Sequence, residues 1–86
     1  MEVKLGTVVI SSAGHDANNW FVVTGADGGF AFVADGKERK LASPKKKNLK
    51  HIRATSNVID LEGLTDKKLR SALRALSAQS IAEESE

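Results

Sequence analysis

Apolar and β-branched residues cluster in three short bursts, Thr7 to Ile10, Trp20 to Thr24 and Phe30 to Ala34, each bounded by glycine, asparagine, aspartate or serine. Bursts of this length are too short for a stable helix and have the composition of strands. The dipeptides Asp27-Gly28 and Asp35-Gly36 tolerate the positive φ of a tight hairpin turn, so each predicts a reversal between consecutive strands. A fourth strand is then expected over Glu38 to Ala42. A fifth is expected around Leu49 to Ala54, beyond Pro44 and a lysine run. Five short strands with tight turns point to a small barrel or sandwich, because a narrow open sheet leaves its edges unpaired.

The period changes near the C-terminal end, where Leu69, Ala72, Leu73 and Leu76 recur at helical spacing and Lys67, Lys68, Arg70 and Arg74 occupy other positions. This pattern predicts an amphipathic helix over Thr65 to Gln79. Thr65 is suited to the N-cap, Asp66 to the positive helix N-terminus, and Leu64 to a staple onto Leu69. The apolar stripe is expected to pack on the strands, with docking on a partner as the competing reading. Residues 81–86 carry three carboxylates after Ile81, and Ala82 to Glu86 have no large apolar group, so a disordered acidic tail is expected. The organisation read from sequence is a β domain over 1–62, a packed helix over 63–80 and that tail.

At 86 residues the chain makes one domain, which buries only about 60% of its unfolded surface and leaves no room for a large cleft. It has no cysteine, which removes disulfides and cysteine metal sites and fits a reducing compartment. The opening MEVKLGTVVI lacks the apolar run of a secretory signal, and no stretch reaches the roughly 20 apolar residues of a membrane span. A soluble, cytoplasmic, monomeric protein is the expectation.

The net charge of +2 hides a strong asymmetry. Residues 37–53 hold eight lysines and arginines against Glu38 alone, a local +7, whereas the segments before and after are net acidic. Such a separation is the footprint of a chain that meets a polyanion with one surface.

Catalytic chemistry finds little support. The only imidazoles are His15 and His51, too few to converge on a metal without cysteine. Ser11, Ser12 and His15 are close in sequence but lack a third orienting group. The stretch Gly25 to Gly29 has neither the P-loop lysine nor the spacing of a dinucleotide fingerprint. A non-enzymatic protein without metal or cofactor follows, an enzyme ranking third among the readings.

The informative segment is KERKLASPKKKNLKHIR. Arg39, Lys40, Lys45, Lys46, Lys47, Lys50, His51 and Arg53 recur there between the apolar spacers Leu41, Leu49 and Ile52, a pattern that anchors backbone while flexible cationic stems reach phosphates. A solvated face without a partner is the competing reading. Trp20, Phe21, Phe30 and Phe32 are the only aromatics, and their strand positions favour core packing over base stacking. Recognition of backbone and shape is therefore expected. The same scarcity argues against a groove for proline-rich peptides.

With strands and basic segment in place, LGTVVISSAGHD (Leu5 to Asp16) followed by WFVV (Trp20 to Val23) resembles a KOW motif, with Gly14 at its hallmark glycine. The continuation VADGKERKLASPKKKNLKHI and the later TDKK resemble short bacterial KOW-domain proteins related to the large-subunit ribosomal protein fourteen-e family. The likeness extends to about Ser77. It implies an SH3-like barrel and binding of RNA, chiefly ribosomal RNA, in translation, with ribosomal proteins as further partners. It also implies loop contacts from Gly14, His15 and Asn18, although His15, Asp16, Ala17, Asn18 and Asn19 stand where relatives often carry more basic or glycine residues. The expected fold is thus a five-stranded SH3-like barrel with a C-terminal helix. The alternative is a protein-interaction module that binds a transcription or ribosome factor through its helix and sheet edge.

Overall fold

A computed structural model describes residues 3–15 and 17–84. Five strands, β1 (Thr7–Ser11), β2 (Trp20–Asp27), β3 (Phe30–Ala34), β4 (Lys45–Asn48) and β5 (Ile52–Val58), form one antiparallel sheet in the order β4-β3-β2-β1-β5. A 3-10 turn, Leu49–His51, links β4 to β5, and one helix, α1 (Asp66–Glu84), follows. Among the described residues, no helix is long and apolar enough to cross a membrane.

The central strands explain the uninterrupted apolar bursts, because both faces of the sheet are covered. On one face Val9, Phe21, Val23, Ala31, Val33 and Ile52 form a cluster, with Val3 and Leu49 packed against it. On the other, Val8, Val22 and Ala34 meet Leu69 and Leu73 of α1. Fully burying a leucine contributes roughly 1.5–3 kcal/mol, so Leu69 and Leu73 are the main anchors of the helix. Packing of the apolar stripe on the sheet is as the sequence pattern predicts.

Thr65 caps α1 as expected, its hydroxyl oxygen accepting from the Lys68 N–H at 3.2 Å. The helix continues to Glu84, however, through four of the residues expected to be disordered. Ala82, Glu83 and Glu84 are acceptable helix formers, and no glycine or proline stops them. Ser85 and Glu86 lie outside the described residues.

The first reversal occurs almost where expected, as a two-residue turn of Gly28 and Gly29 closed by the Asp27–Phe30 pair. The second does not produce a hairpin. Asp35 accepts from the N–H groups of Lys37 and Arg39, each at 2.9 Å, and the Asp35 N–H donates to the Arg39 carbonyl, so residues 35–39 coil into a local turn. The expected strand over Glu38 to Ala42 is therefore loop, and the fourth strand is the lysine run itself. Lysine is a poor strand former, but at a sheet edge a lysine-rich strand also discourages unwanted pairing. The sheet is open: β4 and β5 are its two edges.

Candidate nucleic-acid interface

Pleating sorts the lysines of β4 by position. Lys46 is exposed, Lys45 is half-buried and Lys47 is only 8% exposed. Lys47 pairs with Ala31 of the core, and directly paired residues share a sheet face. Its ammonium then donates to the Ala13 carbonyl at 3.0 Å, across thirty-four positions of chain. Lys47, expected among the phosphate contacts, is in fact an interior strut.

That strut is one of two ties on the loop between β1 and β2. The Ser12 N–H also donates to the His51 carbonyl at 2.8 Å. Together they hold the loop carrying Gly14 and His15 against β4 and the 3-10 turn. Within it the Ala17 N–H donates to Gly14 at 3.2 Å and the Asn18 N–H to Ser11 at 2.7 Å. Gly14, at φ +86°, has the left-handed backbone that favours glycine, and Asn18 adopts φ +71°. Gly14, His15 and Asn18 are all exposed.

The 3-10 turn is fixed by Asn48, whose side-chain oxygen accepts from the Lys50 N–H at 2.9 Å. Lys50, His51 and Arg53 are exposed along the turn and the start of β5. Lys46, Lys50 and Arg53 form a cationic rim beside the Gly14 loop, with His51 among them.

Arg39 and Lys40, also exposed, belong to a different neighbourhood. Their loop is fastened to the helix by the Leu41 N–H, which donates to the Asp66 carboxylate at 2.8 Å, and by Arg70, whose Nη1 donates to the Gly36 carbonyl at 2.7 Å. Beside this fastening opens a cleft of about 390 Å³ whose lining includes Asn18, Trp20, Lys37, Arg70 and Arg74, with Asp35 as its one acidic group among the described residues. Lys37, Arg70 and Arg74 thus gather around Asp35 outside the predicted rim. The i,i+4 spacing of Arg70 and Arg74, which puts both on one side of the helix, is the sequence signal for this second cluster.

Of the aromatics, Phe21 and Trp20 pack in or against the core as expected, whereas Phe30 and Phe32 lie outside both clusters. Phe21 is buried, Trp20 and Phe32 are half-buried, and Phe30 is 39% exposed with Lys46 Nζ 4.5 Å from its ring centroid. Among the described residues, no group of three or more histidine, cysteine, aspartate or glutamate side chains is placed to hold a metal ion. No protein-family model matches the chain, and no curated protein is detectably similar to it in sequence.

Proposed function

We propose that this protein is a non-catalytic RNA-binding protein of the ribosome or its associated machinery, working in translation in the cytoplasm. The observation that carries the reading is the junction of the Gly14 loop with the cationic rim, made by the Lys47–Ala13 and Ser12–His51 hydrogen bonds. Lys46, Lys50 and Arg53 offer cations along one edge with the His51 imidazole between them, and the exposed loop offers Gly14, His15 and Asn18 beside them. Lys45 adjoins this surface in β4, while Arg39 and Lys40 offer further cations on the separate loop fastened to the helix. Fixed cations on a shaped surface suit phosphate recognition, which positions a nucleic acid without reading its sequence.

We read the fold as the SH3-like barrel of KOW proteins, left open between β4 and β5. In a flat five-stranded sheet the two edges would lie about 19 Å apart. The four residue steps from Asn48 to Ile52 reach at most about 14 Å even when fully extended, and a 3-10 turn is shorter still. A sheet that coils so as to bring its edges together, as a barrel does, satisfies that limit. The Val9–Val33 face fits this account, since among the described residues it is buried without a contribution from α1.

The second reading, a protein-interaction module for a transcription or ribosome factor, is favoured by the sheet edge at β5, where Val58 is 63% exposed near Leu5 at 58%. The helix offers it less, because Leu69 and Leu73 are buried against the sheet. Binding to ribosomal RNA over a salt series separates the two. If about five phosphates are neutralised, log affinity falls against log salt with a slope of roughly −3.5 to −4.5. A flat response, with co-sedimentation on ribosomal subunits retained in high salt, would transfer the protein to the second reading.

A further inference from the structure

The face of β3 that looks away from Ala31 and Val33 carries Phe30 and Phe32, two residues apart and therefore on one side of the sheet. Neither ring is in the two core clusters. Phe30 is 39% exposed although burial of a phenyl ring is strongly favourable, and its nearest charged neighbour, Lys46, lies over the ring. Phe32 pairs with Lys46 across one strand boundary and with Gly25 across the other. Gly25 has no side chain to cover it, and an added Cβ there would stand 3.3 Å from the Phe32 ring. A depression of about 530 Å³ adjoins Phe30 at the end of the strand, lined also by Gly29, Asn48, Leu49, Lys50 and Ile52, so that Phe30 borders it from the edge while Phe32 and Lys46 stand outside its lining. That volume lies within the range of small-molecule sites and accommodates a single base.

We propose that Phe30 is a stacking platform for an unpaired base of RNA, with Lys46 and Lys50 on either side of it for the neighbouring phosphates. The inference rests on the RNA-binding reading and deepens it, from recognition of backbone alone to recognition of single-stranded RNA. Charge selects this occupant: an apolar ring bordered by two lysines matches a nucleotide, which joins a flat π face to an anion. Lys46 already occupies the ring face as a cation–π partner, and its flexible stem lets the ammonium move to a phosphate when a base takes its place.

The test titrates the whole chain with a short single-stranded RNA containing 2-aminopurine, and with a duplex of matched phosphate number, over a salt series. Phe30→Ala is expected to weaken single-strand binding by about 5- to 100-fold and abolish the stacking quench of 2-aminopurine. Its salt slope stays unchanged, and duplex binding is spared. Phe30→Trp keeps both affinity and quench, whereas Phe30→Leu, apolar but without a π face, behaves like alanine. Lys46→Ala lowers the salt slope instead. If the wild type binds single strands and Phe30→Ala or Phe30→Leu binds equally well, the platform is overturned while the RNA-binding reading stands. Equal loss on single strand and duplex would assign Phe30 a structural role and overturn it too. Phe30-dependent binding of a proline-rich peptide, with RNA binding indifferent to Phe30, would give the face to a protein partner. A wild type that binds neither RNA removes both readings together.

Discussion

Lys47 on the outermost strand and Ala13 in the first loop are joined by a 3.0 Å hydrogen bond from ammonium to carbonyl. The bond makes three adjacent lysines inequivalent. Lys47→Ala removes a buried stem and leaves a carbonyl without its charged donor, at an expected cost of about 1–3 kcal/mol. Lys46→Ala is expected to stay within about 0.5 kcal/mol of wild type. Urea unfolding of the two variants checks this, and equal midpoints would show that the strut carries no stability.

Gly36 is buried with φ +78°, and a Cβ there would run into the Asp66 carbonyl. Gly36→Ala is therefore expected to destabilise by about 2 kcal/mol or more, combining left-handed strain with separation of the loop from the helix start. Thermal unfolding measures the loss, and amide exchange at Leu41 should quicken if its bond to Asp66 is released.

Leu69 is fully buried between α1 and the sheet. Leu69→Ala is expected to cost about 2–5 kcal/mol, a large fraction of the stability of so small a domain. Far-ultraviolet circular dichroism during denaturant titration would show whether helix and sheet unfold as one transition. Separate transitions would mean that α1 is only loosely docked.

Two basic surfaces compete for an RNA, and salt dependence tells them apart. Lys50→Ala and Arg53→Ala should each reduce the slope of log affinity against log salt by about 0.7–0.9 if the rim contacts phosphate. Lys37→Ala and Arg74→Ala should leave it unchanged. The reverse result would move the interface to the cleft beside Trp20.

Strand composition and the helical period of Leu69, Leu73 and Leu76 were sufficient to place β1, β2, β3 and the helix. Those elements owe their form to local propensity and to one apolar pattern each. The fourth strand was not legible, because what decides it lies elsewhere in the chain. Asp35 curls the segment expected to pair, and a lysine that looks like a phosphate ligand is drawn inward by a carbonyl far away in sequence. Phe30 was misread for a similar reason. Its hydrophobicity matches that of Phe21, and only the strand order places Phe21 in the interior and Phe30 at the end of a short strand near an edge.

The strand order also imposes a timetable. During synthesis Thr7–Ser11 emerges first and can pair at once with Trp20–Asp27, but its other neighbour is Ile52–Val58, the last strand made. Until residue 58 has been released, β1 is an exposed edge. Its valines then have only part of their eventual cover, because Leu69 and Leu73 come later still. The β2–β3 hairpin, closed by two glycines, can form within microseconds, whereas the β1–β5 pairing must close a loop of roughly forty residues and belongs to the slow, non-local class of folding events. A nascent chain released as far as Asn48 but not yet through Val58 would therefore present a sticky, half-built sheet, a state open to misassociation with its own copies.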